Sequence, residues 1–467
     1  MSGPAALARR LVVGLAGPRL TSAERAWLDT YRPAGVILYR RNVRDGARTK
    51  RLCAELHDLL PRGAEIMADH EGGPVSVLDA VAGRPPAPWL LGRLDDPELT
   101  RRVMEDAAAR ARAVGVDRLL APCMDVLTAP DNPIIGARSF AASAERVARH
   151  VAAAVRGITG AGLGCCLKHW PGHGGTVVDT HLAAAGRVRD DDPAALRAGL
   201  EAGADAVMLG HLRRPGDDLP ASVCPDAVAE LQAASGQARL FSDDLTMGAL
   251  RGPLGETAGV SPAGDGLCEP ADLPRAWFEA AARGGCDLLF SRGIPWSAWP
   301  LDGARPEDLP SIGADVDPPV DAAIAAPARP ASWDTALERA AAPCLDPQRG
   351  DLLLWRASSG HRWGGLSAAD VRAAGWTGGL SDLADGSATD PAGGCVQVLV
   401  ASHAPLRDAD LDVATPRLAA RLGPSGVCVA LGHPSLAGTV AGLLPRDWRV
   451  EAGFDLDGAT LAGFFAR

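Results

Sequence analysis

Residues 164–181 read GCCLKHWPGHGGTVVDTH, and the start of this stretch shows the pattern that decides the fold. The apolar run Gly164–Lys168 has the length of a buried strand, reaches an ionisable pair (Lys168 and His169) and leads into a glycine-rich loop. Seven further short apolar runs occur in the first 293 residues, separated by longer segments of helical character. These runs are Leu11–Leu15, Gly35–Tyr39, Glu65–Ala68, Arg118–Pro122, Asp205–Gly210, Ala238–Phe241 and Cys286–Phe290.

Strands that alternate with helical segments predict an α/β fold with a parallel sheet. The clearest helical segments are Thr100–Val114, Ala144–Gly157 and Pro193–Gly203. Eight such βα units are typical of a (β/α)8 TIM-type barrel, although a doubly wound sheet would share the alternation. Ionisable residues at the strand ends favour the barrel, because its strand ends converge on the face where active sites lie. Five runs carry such residues, namely Asp69, Asp125, Lys168–His169, His211 and Asp243–Asp244.

The chain divides by composition into three parts. Residues 1–294 hold the expected barrel, and eight prolines between Pro295 and Pro330 indicate a wrapping linker over residues 295–335. Residues 336–467 return to alternating apolar and helical segments, so we expect a smaller C-terminal α/β domain. Its expected strands are Leu352–Trp355, Val396–Ala401 and Gly426–Leu431, and its expected helices are Asp412–Arg421 and Ser435–Leu444.

Composition excludes several classes of protein. With 47% hydrophobic and 22% charged residues, the 467-residue chain has enough apolar material for a core and is not a disordered protein. A formal charge of −10 without a basic stripe argues against nucleic-acid binding, and no apolar window is long enough for a membrane span. The ten cysteines form no CxxC pair, and no export signal is evident. We therefore expect a cytoplasmic protein, monomeric or weakly dimeric, without a cofactor.

The segment Lys168–His181 is the richest in chemically active side chains. Asp179 and His181 are two residues apart, so on an extended backbone their side chains point the same way. A carboxylate beside an imidazole fixes its tautomer and stabilises its protonated form, as a general acid/base histidine requires. A metal site of His169, His173 and His181 and a purely structural loop are alternatives. The spacing does not match a helical zinc site, and we expect no metal.

A second candidate segment is Phe241–Met247, in which Asp243 follows an apolar strand without a turn residue before it. A carboxylate in this position can act as a nucleophile on a sugar carbon. From the residues alone, a role as the N-cap of the next helix is equally compatible, and Asp244 suits that role better.

Taken together, these segments resemble glycoside hydrolase family 3, in its branch of bacterial NagZ-type β-N-acetylglucosaminidases. The family pattern K-H-[FW]-P-G-H-G-x(4)-D-[ST]-H is matched from Lys168 to His181, and [ST]-D-[DA]-L-x-M is matched from Ser242 to Met247. Asp69–Gly73 matches D-x-E-G-G, and Ile135–Phe140 matches I-G-x-R-S-F. The resemblance covers residues 10–293, and the C-terminal domain is only generally similar to that of longer family members.

The resemblance implies a retaining hydrolase that releases terminal N-acetylglucosamine (GlcNAc) from β-glycosides through a covalent glycosyl-enzyme. Asp243 would attack the anomeric carbon, and His181, oriented by Asp179, would protonate the leaving oxygen and then activate water. Carboxylates accept from sugar hydroxyls and cations donate to them, which fits the residue types that the family uses to hold the sugar. Those residues correspond here to Asp69, Arg138, Lys168, His169 and His173.

Two departures from the family bear on the substrate, which is usually a cell-wall muropeptide disaccharide. The family places arginines where this chain has Pro74 and Val77, close to Asp69. Alternatives to the hydrolase are a phosphorylase, a non-catalytic sugar-binding homologue, and a β-glucosidase whose acid/base is a carboxylate. The intact acid/base pair disfavours the β-glucosidase. Without a catalytic His181, Glu71 or a C-terminal carboxylate would be the next candidate for the acid/base.

Overall fold

The computed structural model describes residues 4–130, 132–176, 193–251, 254, 267–302, 309–310, 328, 330–333 and 335, together with the backbone of five strands between residues 352 and 453. Up to residue 293, the described chain is a barrel of parallel strands surrounded by helices, which confirms the predicted fold class. Its strands are β1 Leu11–Gly14, β2 Gly35–Leu38, β3 Glu65–Ala68, β4 His70–Gly72, β5 Val75–Ser76, β6 Arg118–Leu119, β7 Gly164–Cys165, β8 Leu167–Trp170, β9 Ala206–Leu209, β10 Arg239–Asp244 and β11 Leu288–Ser291.

The helices of this part lie between the strands. They are α1 Pro4–Ala8, α2 Ser22–Tyr31, α3 Gly46–Leu59, α4 Asp79–Ala82, α5 Pro88–Leu94, α6 Pro97–Ala113, α7 Ala144–Gly160, α8 Ala194–Glu201, α9 Pro225–Ser235 and α10 Arg275–Gly284. Short 3-10 helices cover Arg40–Asn42, Gly136–Arg138, Ala221–Val223, Gly248–Leu250 and Pro270–Asp272.

The barrel closes at the fifth of its eight strand positions, which is divided between β7 and β8. The hydrogen-bonded order is β7-β6-β3-β2-β1-β11-β10-β9-β8, so the two ends of this sheet are consecutive pieces of one chain segment. Lys168 in β8 also bridges to Cys123 beyond β6, and the Met124 N–H donates to the Lys168 carbonyl at 2.7 Å. Because neighbouring strands are parallel, their carboxyl ends share one mouth of the barrel. The antiparallel hairpin β4–β5 is separate from this sheet.

Alternate residues of the barrel strands face inward and outward, as the two-residue period of a strand requires. In β1, Val12 belongs to an inner cluster, whereas Leu11 and Val13 pack with the helices. The barrel interior is therefore a packed core rather than a channel. The inner cluster draws members from all eight strand positions: Val12, Ile37, Met67, Leu120, Cys166, Ala206, Met208, Phe241, Leu288 and Phe290.

Element boundaries differ from the sequence prediction where local capping decides them. The predicted helix from Thr100 begins at Pro97, because Asp96 accepts from the Leu99 N–H at 2.9 Å and proline suits the first helical turn. The run predicted as one strand over Gly164–Lys168 is split between β7 and β8. The β4–β5 hairpin was not predicted, since strands of two or three residues carry no readable periodicity.

Charged side chains close the amino-terminal end of the barrel. Arg118 in β6 is buried and donates to both carboxylate oxygens of Glu65 at 2.9 and 3.1 Å and of Asp205 at 2.6 and 2.7 Å. Arg239 adds two bonds to Glu65. Burial alone would raise the pKa of Glu65, but the bonds from the two arginines outweigh it and lower the pKa. A Cβ on Gly164 would lie 2.6 Å from the Arg118 guanidinium, so glycine is required beside this network.

Arg118→Met should lower the free energy of unfolding by about 3 kcal/mol, because it removes a buried cation that two carboxylates share at the end of the barrel. Arg25→Met, which removes a largely exposed ion pair with Glu55, should cost less than about 1 kcal/mol. Urea unfolding of both variants measures the difference. A loss for Arg118→Met no larger than that for Arg25→Met would show that the network does not stabilise the barrel.

The described parts of the Pro-rich segment pack against the barrel. Trp299 and Trp333 are buried, and their ring N–H groups donate to the carbonyls of Pro4 at 3.0 Å and Val103 at 3.1 Å. Trp296 belongs to the same apolar layer. The segment expected to wrap as a linker thus contacts the barrel near both of its ends.

The C-terminal part contains a five-stranded parallel sheet with the order β13-β12-β14-β15-β16. Its strands are β12 Leu352–Arg356, β13 Leu380–Asp382, β14 Cys395–Ser402, β15 Leu422–Gly432 and β16 Trp448–Gly453. The three expected strands fall within β12, β14 and β15, while β13 and β16 were not predicted. The helices expected over Asp412–Arg421 and Ser435–Leu444 lie outside the described residues. Among the described residues, no helix combines the length and apolar character needed to cross a membrane.

Candidate active site

Two cationic and two anionic side chains form a cluster at the carboxyl end of the barrel. Lys168 in β8 places its Nζ 2.5 Å from Asp69 Oδ1 and 2.5 Å from Glu71 Oε1. Arg138 donates to both oxygens of Glu71 at 2.9 Å. The two cations and two carboxylates balance, which is what burial of charge requires. Asp69 has the most exposed side chain of the four at 25%, so it is the member best placed to meet a ligand.

Glu71 pairs with both cations of this cluster, although the sequence analysis considered it only as a fallback acid/base and not as a residue of the sugar site. Burial would raise its pKa, but Arg138 and Lys168 lower it to about 2. Glu71 is therefore ionised at neutral pH and is unsuited to be the fallback proton donor considered above. The signal for its importance was its place in the D-x-E-G-G match, two residues after Asp69, which corresponds to a sugar-holding residue of the family.

A bulge lets two adjacent residues of β8 join the same site. Along β9, Lys168 pairs with Met208 and Trp170 pairs with Leu209, so His169 is an extra residue in β8. In a regular strand Lys168 and His169 would point to opposite faces. The extra residue re-aims the chain locally, and the His169 ring lies 3.3 Å from Arg138 Nη2, beside the Lys168 cluster.

Asp125 lies behind His169 as the buried acceptor of several bonds. Its Oδ2 is 2.7 Å from His169 Nδ1 and 3.2 Å from Cys123 Sγ, and its Oδ1 accepts from the His173 N–H at 2.7 Å. Arg138 donates to His169 Nε2, so the Nδ1 proton points to Asp125. Burial would raise the pKa of Asp125, but His169 and then His173 outweigh it and lower the pKa.

The metal alternative of His169, His173 and His181 stays a prediction, because His181 lies outside the described residues. A different group of residues that could bind a metal lies beside His169. One atom each of Cys123, Asp125 and His169 lies within 4.8 Å of the others, and these residue types can bind metals. A metal on His169 Nδ1 would require Nε2 to carry the proton, which would then face the Arg138 donor at 3.3 Å. In the structure, Asp125 instead accepts hydrogen bonds from the Cys123 thiol and from His169 Nδ1.

Asp243 and Asp244 occupy different environments at the end of β10. Along β11, Phe241 pairs with Leu288 and Asp244 with Phe290, so β10 also carries one extra residue before Asp244. Asp244 Oδ1 accepts from the Thr246 N–H at 2.9 Å and the Thr246 hydroxyl at 2.8 Å, and burial raises its pKa. Asp244 thus holds the local turn, although a 3-10 helix rather than an α-helix follows it.

The backbone around Asp243 is fixed by its neighbours. Asp243 is partly exposed, and its Oδ1 accepts from the Asp244 N–H at 2.7 Å. His211, another strand-end residue noted in the sequence, contacts Ser222 Oγ at 2.7 Å and the Asp244 carbonyl at 2.8 Å with its two ring nitrogens. His211 therefore supports the turn at Asp244, and because both of its ring nitrogens are hydrogen-bonded, we do not expect it to act as an acid or base.

The predicted acid/base pair, Asp179 and His181, lies outside the described residues, so its geometry stays a prediction. The described chain ends at Thr176 on this loop. His173 lies at the base of the loop, with its ring edge-on to that of His169 at 5.9 Å between centroids. Burial and then His169 lower the pKa of His173 to about 4.

His70 lies between Asp69 and Glu71 in sequence but takes no part in the ion cluster. It is fully buried, and neither of its ring nitrogens has a hydrogen-bond partner among the described residues. Burial lowers its pKa to about 4, and of its charged neighbours Asp79 opposes this effect while Arg40 and Arg84 add to it. His70 is thus held neutral in the folded protein.

The buried neutral state of His70 should make the protein acid-sensitive, with a loss of about 2 kcal/mol of unfolding free energy between about pH 7 and pH 5. Only the unfolded histidine, with a pKa of 6.5, takes up a proton in this range, so stability is complete above pH 6.5 and falls as the pH approaches 4. In His70→Leu the pH dependence measured by urea unfolding should shrink by that amount. Identical pH dependence in the two proteins would contradict a neutral buried His70.

Comparison with known proteins relates the barrel to glycoside hydrolases. The model of the glycosyl hydrolase family 3 N-terminal domain matches residues 8–263. A β-hexosaminidase of Stenotrophomonas maltophilia strain R551-3 is 34% identical over 274 residues, which cover 56% of this chain and 81% of the relative. A β-hexosaminidase of Xylella fastidiosa strain 9a5c is 36% identical over 271 residues, covering 53% and 78% of the two chains.

Solved structures agree with this relation. NagZ from Neisseria gonorrhoeae superposes with a TM-score of 0.52 at 29% identity, covering 62% of this chain and 82% of that one. A family 3 β-N-acetylglucosaminidase from Paenibacillus sp. FPU-7 has a TM-score of 0.69 at 20% identity and covers 99% of this chain and 95% of its own. The second similarity concerns the fold alone, and it extends over both the barrel and the C-terminal sheet.

Proposed function

The chain belongs to glycosyl hydrolase family 3, and from this premise we propose that it is a retaining exo-β-N-acetylhexosaminidase that releases terminal GlcNAc from β-glycosides. The observation that carries the proposal is the joint position of a charged cluster and a partly exposed carboxylate at one mouth of the barrel. The cluster centres on Lys168 in β8, and Asp243 lies in β10, two strand positions away around the barrel.

The charged cluster supplies the groups that hold a sugar. Asp69 offers carboxylate oxygens to sugar hydroxyls, and Lys168 and Arg138 are cationic donors beside it. Glu71 keeps both cations in place by pairing with each of them. His169 and His173 lie beside this cluster, with their ring centroids 5.9 Å apart.

In the proposed reaction, an Asp243 oxygen attacks the anomeric carbon and the bond to the aglycone oxygen breaks. His181 gives its proton to that oxygen as the aglycone leaves. Water then attacks the glycosyl-enzyme, His181 takes a proton from the water, and Asp243 is released as a carboxylate. Asp179 keeps the imidazole in the tautomer that allows both transfers.

Product analysis tests this function. The enzyme should release GlcNAc from an aryl β-GlcNAc and from a muropeptide, and it should leave an aryl β-glucoside unchanged. Added phosphate should not alter the rate or the product. Formation of a sugar phosphate would replace the hydrolase by a phosphorylase, cleavage of the glucoside alone would favour a β-glucosidase, and binding without turnover would favour a non-catalytic homologue.

A further inference from the structure

The segment that follows β6 clamps the base of the loop that leads to the acid/base pair. Asp125 Oδ1 accepts from the His173 N–H at 2.7 Å, and Asn132 Nδ2 donates to the His173 carbonyl at 2.7 Å. The Ala129 N–H donates to the Gly174 carbonyl at 3.0 Å. Both peptide groups that flank His173 are thus held from one side, by Asp125 and Asn132.

Steric fit reinforces these hydrogen bonds. A Cβ on Gly174 would lie 1.7 Å from the carbonyl oxygen of Val126, so the two backbones approach as closely as glycine allows. Asn132 is itself fixed, because its Oδ1 accepts from the N–H groups of Ile134 and Ile135 at 2.9 and 2.7 Å. This clamp, formed by Asp125, Val126, Ala129 and Asn132, is therefore a preformed surface that holds His173 and Gly174 at the base of the loop.

Asp125 connects this clamp to the charged cluster that is proposed to hold the sugar. One of its oxygens holds the His173 backbone, and the other accepts the proton of His169 Nδ1 at 2.7 Å. With Nδ1 protonated, His169 Nε2 is free of a proton and accepts from Arg138 at 3.3 Å. The same carboxylate thereby fixes the tautomer of a pocket histidine and the start of the acid/base loop.

We propose that Asp125 is a positioning residue that couples the sugar-binding His169 to the loop carrying His181. This proposal rests on the proposed function, since it assigns Asp125 an effect on proton donation to the leaving group. Asp125 itself is 1% exposed and lies behind His169, so it acts through these neighbours rather than on the sugar.

Two isosteric variants separate the two side-chain contacts of the clamp. Asp125→Asn has one oxygen instead of two, so either the His173 N–H or the His169 ring proton loses its acceptor. Asn132→Asp keeps the acceptor for Ile134 and Ile135 but replaces the donor to the His173 carbonyl by a carboxylate oxygen, which repels that carbonyl. The second variant therefore disturbs the loop base while the His169 tautomer keeps its carboxylate.

The test compares kcat/KM for two β-GlcNAc substrates, a dinitrophenyl glycoside that needs little protonation and chitobiose, which needs full protonation. Asp125→Asn should lose roughly 100-fold on chitobiose and roughly tenfold or less on the dinitrophenyl glycoside. Asn132→Asp should show the same preference with a smaller loss and an unchanged KM for the dinitrophenyl glycoside. Thermal unfolding of each variant reports whether it is folded, and Asn132→Asp carries the test if Asp125→Asn does not fold.

Equal losses on both substrates in the folded variants would overturn the proposal, because a lower fraction of active protein or weaker sugar binding affects both substrates alike. A wild-type enzyme that cleaves neither glycoside would show that the proposed function is wrong, and the role of Asp125 would fall with it. An active wild type with equal losses would remove the Asp125 proposal alone.

Discussion

Asp243→Ala should lower kcat on aryl β-GlcNAc by about 10⁴-fold or more while leaving the fold intact. The reason is that the covalent step has no substitute nucleophile. The nearest neighbouring carboxylate, Asp244, is engaged by Thr246, and Glu71 is bound by Arg138 and Lys168. Single-turnover and steady-state rates measure the loss, and circular dichroism reports the fold.

Asp244→Asn is the matched control for this substitution. Asparagine keeps an oxygen that can accept from the Thr246 N–H and hydroxyl, so the turn at the end of β10 should survive. We expect activity within roughly tenfold of the wild type and a loss of stability of about 1 kcal/mol. An inactive Asp244→Asn variant together with an active Asp243→Ala variant would mean that Asp244, and not Asp243, is the nucleophile.

His181→Ala should have the second largest effect, and its size should depend on the leaving group. On chitobiose, whose leaving oxygen must be protonated, we expect a loss of roughly 10²–10⁴-fold. On a dinitrophenyl glycoside the first step needs little protonation, so its rate should change by less than about tenfold. Asp179→Asn should act in the same direction with a smaller effect, because the imidazole remains.

Rates on aryl glycosides of graded leaving-group pKa provide the measurement. A steeper dependence on the leaving group in His181→Ala than in the wild type is the expected result. Parallel losses across the whole series would make His181 a binding residue. A C-terminal carboxylate would then be the next candidate for the acid/base, since Glu71 is ionised and paired.

Most of the fold could be read from the sequence because the barrel repeats one simple rule eight times. Apolar runs such as Glu65–Ala68 are largely buried, and five of the eight runs end next to ionisable residues at the same mouth. Features set by distant partners could not be read. Arg118 appears at the start of an apolar run, and only the closed barrel brings Glu65 and Asp205 to it across 53 and 87 residues.

The sequence predicted which residues belong to the site, but it did not predict how their side chains are oriented and paired. The motif matches located Lys168, His169 and Asp243, yet the strand period predicts that Lys168 and His169 point apart. The extra residue in β8 brings them together, and a register shift of this kind leaves no mark in a single sequence. The importance of Glu71 and Asp125 was not predicted for a related reason. The role of a buried carboxylate depends on its hydrogen-bond partners, and these are known only from the fold.

The most direct test of the central claim is covalent trapping. A 5-fluoro analogue of β-GlcNAc with an activated leaving group forms a glycosyl-enzyme that turns over slowly, and peptide mass spectrometry then locates the attached sugar. A retaining mechanism through Asp243 predicts one added sugar on the peptide that contains Asp243, and none in Asp243→Ala. Attachment to Asp244 or to any other residue would contradict the account, as would hydrolysis with inverted stereochemistry and no covalent adduct.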